Sequence, residues 1–87
     1  MKTSEAVREI MKEKNITVGA MARAISDMRG ADENGNKIEV LPRLITDRLA
    51  QKNISVSNLV EMLKTLDYKI VLVPRNKGEK EGEYEIE

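Results

Sequence analysis

The stretch LPRLITDRLAQKNISVSNLVEMLKTLDYKIVLVP, residues 41–74, leaves this chain little choice of fold. It reads as a helix, a short polar joint, an amphipathic helix and an apolar strand. Pro42 suits a first helical turn, because its φ is already helical and its missing N–H has no partner there to lose. Leu41, Ile45 and Leu49 recur at a spacing of four and predict one apolar face. Arg43, Thr46, Asp47, Arg48, Gln51 and Lys52 lie between and beyond them as a polar face with long donors. The helix is expected over residues 42–52, with Asn53 as a left-handed stop. Ser55 is expected to cap the next helix, with Val56, Leu59, Val60, Met62, Leu63 and Leu66 as its apolar stripe. Asp67 and Tyr68 close that helix. Ile70–Val73 is an unbroken β-branched and leucine run, which predicts a strand.

The N-terminal part predicts two more helices. Thr3 or Ser4 caps the first, which runs to about Lys14 with Ala6, Val7, Ile10 and Met11 buried. Asn15 is its expected left-handed stop. Thr17 caps the second, which runs to about Ser26 with Val18, Met21, Ala22 and Ile25 on its apolar side. Glu33-Asn34-Gly35-Asn36 then carries a turn signal, since Asn-Gly accepts the positive φ of a type I′ turn. Met28–Ala31 and Lys37–Val40 could flank that turn as short strands. After Pro74, RNKGEKEG has no apolar residue and reads as a loop or linker. EYEIE then alternates and could pair with Lys69–Pro74 as a hairpin, within one chain or across a dimer. Residues 1–74 form one domain in this reading, and residues 75–87 form a charged loop with a strand or tail.

Composition limits the chemistry. The chain has 87 residues, two Tyr, and no Phe, Trp, Cys or His. That is enough for one domain with a modest aliphatic core. Disulfides, thiol catalysis and the usual zinc sites are excluded, which fits a reducing compartment. No apolar run is long enough for a membrane span, and the N-terminus lacks a signal-peptide core, so a cytoplasmic protein is expected. There is no P-loop and no GxGxxG, and ADENGN lacks the ligand spacing of an EF-hand. The carboxylates are spread over exposed helical faces and the tail. No enzyme, cofactor or metal is expected.

Charge bears on partners. Fifteen basic residues balance fifteen acidic ones. Residues 75–87 hold three basic and five acidic side chains, which leaves twelve basic and ten acidic over residues 1–74. Residues 42–52 hold three basic and one acidic. A local positive face is therefore compatible with a neutral whole, and local potential governs phosphate contact.

DRLAQKNISVSNLVEMLKTLDYKIVLVP, together with Thr3–Ile25, resembles the lambda-repressor-like, XRE-type helix-turn-helix proteins, in particular small bacterial and mobile-element members with an "LGYKIVLVP"-like strand. The resemblance implies a mainly α, four-helix bundle with an inserted loop or hairpin between helices 2 and 3 and a C-terminal strand or β-hairpin. It makes the segment around LPRLITDRL the recognition helix. In that family Ala22 falls where a small residue lets two helices approach. The family often has a phosphate-touching Gln after the second N-cap; here Val18 and Gly19 stand there instead. The family turn before the recognition helix is short, whereas this chain has Ser26–Val40. That insertion is either a small hairpin beside the DNA, with Arg29 and Lys37 reaching phosphates, or an excursion whose Asp27, Asp32, Glu33 and Glu39 face water or a protein partner. A third reading is that it abolishes DNA binding.

The resemblance implies a sequence-specific DNA-binding transcriptional regulator, a homodimeric repressor on a palindromic duplex. Arg43, Leu44, Thr46 and Asp47 would read bases. Arg48, Gln51, Lys52 and Thr17 would meet phosphates or the end of the site. Leu66, Tyr68, Ile70 and Leu72 would supply the dimer contact. The alternative is a protein–protein adaptor on the same scaffold, an antitoxin or phage-type inhibitor, using the insertion or the acidic tail.

Overall fold

Four helices pack around one aliphatic core, and a two-stranded antiparallel sheet closes the C-terminal end. The elements are α1 (Thr3–Lys14), α2 (Val18–Arg29), α3 (Pro42–Ala50), α4 (Val56–Thr65), β1 (Ile70–Leu72) and β2 (Tyr84–Ile86). The computed structural model describes residues 2–74 and 84–86. The expected loop over residues 75–82 lies outside the described residues.

Met21, Ile25, Ile45, Met62, Leu66 and Val7 are the largest fully buried side chains, and they come from all four helical segments. Leu49, Ala22, Met11, Leu63 and Val40 complete the core, with Ile10, Ile16, Val18, Leu44, Leu59 and Ile70 packed against it. Two expected core or stripe positions differ. Leu41 is 59% exposed and serves as the N-cap of α3, so the apolar face of that helix begins at Leu44 and Ile45. Val56, the first residue of α4, is exposed.

Local chemistry explains most helix ends. Asn15 takes the left-handed conformation with φ 56°, and the Ile16 N–H returns to the Met11 carbonyl at 2.8 Å. Both satisfy the last carbonyls of α1. Thr17 caps α2, its hydroxyl oxygen accepting from the Ala20 N–H at 3.1 Å. Ser55 caps α4 by accepting from the Asn58 N–H at 3.3 Å. Asp67, with φ 61°, is the left-handed residue after α4. At α1 the N-cap is Lys2, with no side-chain cap, and Thr3 and Ser4 are already helical. Helix starts commonly drift by this much. α3 stops at Ala50 because Gln51 turns extended (ψ 139°), and Asn53 has no positive φ.

The insertion is shorter and more ordered than the sequence implies. α2 runs on to Arg29 and ends at Gly30, whose φ of 73° favours glycine. A small hairpin follows, with one antiparallel bridge between Ala31 and Lys37 and an Ile38 N–H bond to the Gly30 carbonyl at 2.9 Å. Its turn is not type I′, because Asn34 keeps a negative φ and Gly35 alone is left-handed (φ 80°). The Gly35 N–H bonds the Asp32 carbonyl at 3.0 Å, as in a three-residue loop ending in a left-handed glycine. The Asp32 carboxylate accepts from the Asn34 and Asn36 N–H groups at 2.9 and 3.0 Å. That carboxylate bonding selects the wider turn.

Ser26 fastens the far end of the hairpin. It is buried inside α2, donates to the Ala22 carbonyl at 2.9 Å and accepts from the Val40 N–H at 2.8 Å. Val40 drops into the core beside it. At the C-terminus Ile70 pairs with Ile86, Val71 with Glu85 and Leu72 with Tyr84. Two strands alone are marginal. Here Ile70 and Ile86 line a cleft with Val60 and Leu63 of α4.

Candidate nucleic-acid interface

α3 presents two unlike faces. Its inner face buries Ile45, Arg48 and Leu49. Its outer face exposes Arg43, Thr46, Asp47 and Ala50. Arg43 is 88% exposed in its side chain and lies 3.8 Å from Asp47, one turn on. A pair so open to water is worth only tenths of a kcal/mol, so the guanidinium is free to change partner. Thr46 is exposed and donates to the Pro42 carbonyl at 3.3 Å. Leu44 is half-buried against the core and turns away from that face.

Arg48 corrects the sequence expectation. It is 6% exposed in its side chain and donates to Glu61 of α4 at 2.8 Å, so it is not available to phosphate. The spacing contains the signal: residues 41, 44, 45, 48 and 49 follow the one-face pattern of a helix, and Arg48 sits on the apolar side of it. Arg29 is likewise committed. Its Nε and a terminal nitrogen hold both Glu61 oxygens at 2.9 and 2.8 Å. Glu61, not singled out in the sequence, thus joins α2, α3 and α4. The Arg29 hydrogen bond holds the Glu61 carboxyl below its ordinary range, helped by the bond from Arg48 and opposed by burial. The same Glu61 bond raises Arg29. Arg48 Nε is buried without a hydrogen-bond partner among the described residues.

The remaining polar residues flank α3. Gln51 and Lys52 are exposed at its C-terminal end, around a hollow shared with Lys2 and Ser4 of the N-terminus. Thr17 is exposed, and its hydroxyl keeps a hydrogen to donate after capping α2. Lys37, on the hairpin, pairs with Asp27 at 3.0 Å with both side chains mostly in water. Lys37 also lines a groove with Gly19, Arg23, Glu39, Leu41 and Pro42, of about 340 Å³, beside the start of α3. Arg23 and Leu41 were not read as site residues in the sequence; Leu41 was assigned to the core.

Of the expected dimer residues, Leu66 is 1% exposed and belongs to the core, so it offers no surface. Ile70 is half-buried against the same core. Tyr68 and Leu72 are exposed, as are Val73 and Tyr84. Lys14 lies 5.3 Å from the centre of the Tyr68 ring. Among the described residues no cluster of carboxylates is arranged to hold a metal ion, and no helix is long and apolar enough to cross a membrane. Comparison with protein-family models, curated proteins and solved structures finds no match to this chain.

Proposed function

We propose that this chain is a sequence-specific DNA-binding transcriptional regulator of the cytoplasm, acting as a homodimeric repressor, with α3 entering the major groove. The observation that carries the reading is the division of α3: an outer row of Arg43, Thr46 and Asp47 in water, over an inner row fixed by Ile45, Leu49 and the Arg48–Glu61 pair. Such a helix is rigid in register and chemically open on one side. Both properties are needed to read base edges.

Arg43 would leave its loose contact with Asp47 and fork onto guanine N7 and O6. Asp47, one turn away, would accept from cytosine N4. The Thr46 methyl would meet a thymine methyl. Thr17, Gln51 and Lys52 would hold phosphates and set the register without carrying sequence information. One module of this size buries too little surface for high specificity, and two-fold pairing doubles it. Tyr68 and Leu72, exposed at the C-terminal end, are the expected dimer residues still on the surface.

The adaptor reading has its own support, since Asp27, Asp32, Glu33 and Glu39 all face water around the hairpin. A salt titration separates the two. Binding to duplex from directly upstream of the protein's own gene is measured beside a scrambled duplex of equal length. The regulator binds the first tightly and the second weakly, with affinity falling steeply as salt rises. Equal weak binding to both, or none, refutes the regulator and turns the search to a protein partner for the acidic hairpin.

A further inference from the structure

The insertion before α3 is anchored, and what it brings together bears on the DNA face. Ser26 fixes the Val40 backbone, Val40 fills the core, and Asp32 ties its own turn. The hairpin is therefore held against α2 at its base. It sets Lys37 on one groove with Arg23 of α2, next to Leu41 and Pro42 at the start of α3. Arg23 is exposed, and no carboxylate among the described residues pairs with it. Among the described residues Lys37 has only the water-exposed ion pair with Asp27, which is cheap to exchange.

From this we infer that the hairpin is a second DNA-contacting element: Arg23 and Lys37 together clamp the sugar-phosphate backbone that flanks the base pairs read by α3. The inference rests on the DNA-binding reading and adds to it a contact across α2 and the insertion. The groove also carries Glu39, a carboxylate on the same wall. Its charge opposes phosphate, so it limits the affinity of the clamp. Arg23 and Lys37 strengthen binding to any sequence, whereas Arg43 strengthens binding to one.

The test uses the full chain and two duplexes of equal length, one selected from a random pool by the wild-type protein and one scrambled. Affinity is measured against salt for wild type, Arg23→Ala, Lys37→Ala, the double variant and Glu39→Gln. All three positions are exposed, and unchanged denaturant midpoints check that the variants fold. Each neutralised phosphate contributes roughly 0.9 to the slope of log affinity on log salt. Each single alanine variant is expected to make that slope shallower by about 0.9, and the double variant by about twice as much. The ratio of selected to scrambled affinity stays constant, and Glu39→Gln tightens both. A slope unchanged in the double variant, beside intact selective binding by wild type, overturns the clamp and leaves the α3 reading standing. A wild type that selects no sequence and binds neither duplex overturns both.

Discussion

Arg43 and Arg48 stand five residues apart on one short helix and lead opposite lives. Arg43 is 88% exposed in its side chain and touches Asp47 at 3.8 Å; Arg48 is 6% exposed and bonds Glu61 at 2.8 Å. The difference comes from helical geometry, since five residues at 3.6 per turn carry a side chain well around the cylinder. Residue type alone therefore does not mark a cation that is open to an outside partner. On α3 one arginine is buried in an ion pair with α4, and the other stands in water beside Asp47.

The largest expected effect lies on the inner side. Glu61→Ala leaves Arg48 buried and uncompensated, and should cost about 3–5 kcal/mol of stability in a denaturant melt. Arg48→Met, which removes the buried charge along with its unpaired Nε, should cost far less. A loss as large as that of Glu61→Ala would mean that Arg48, rather than relief of its burial, anchors α3.

Next comes the tie between α2 and the hairpin. Ser26→Ala strips the buried Val40 N–H of its acceptor and should cost about 1–3 kcal/mol. Hydrogen exchange at Val40 should speed up beyond the global change. Arg43→Ala should leave the denaturant midpoint where it was and weaken selective DNA binding by about 1–3 kcal/mol. Those two variants sharpen the contrast between the faces, because each should move only one of stability and recognition by a large amount.

The smallest effect is a pH dependence. Glu61 has a folded pKa below its unfolded value. Its contribution is therefore complete above the ordinary glutamate value of roughly 4.3 and is lost as pH falls through the depressed folded value. The stability gap between wild type and Glu61→Gln should be constant near neutrality and close in acid. A gap that stays open below the acid range would show that Glu61 acts by shape and not by charge.

The four helices and the two C-terminal strand segments were legible because their signals are local. Asn15, Thr17 and Ser55 sit where end chemistry requires them, and apolar spacing marks the buried faces. Several of the losses share a cause: they depended on a contact distant in sequence. Ser26 reads as a helix end until Val40, fourteen residues on, is seen to use its hydroxyl. Arg48 reads as a surface donor until Glu61 is placed opposite. Leu66 reads as spare apolar surface until the core closes over it. Leu41 fits the spacing of the buried row, yet it caps α3 outside the bundle. Of the candidate face, Arg43, Thr46 and Asp47 followed from sequence order, whereas the groove holding Arg23 with Lys37 required the hairpin to be built.

The outer face of α3 is proposed to read DNA, while its inner face packs into the core. One measurement bears on it most directly: the ratio of affinities for a selected and a scrambled duplex, for wild type and Arg43→Ala, at one salt concentration. A large ratio is expected for wild type that collapses towards unity in Arg43→Ala, with non-selective binding weakened only slightly and the unfolding midpoint unchanged. A ratio that survives the substitution, or a wild-type ratio of one, would contradict it.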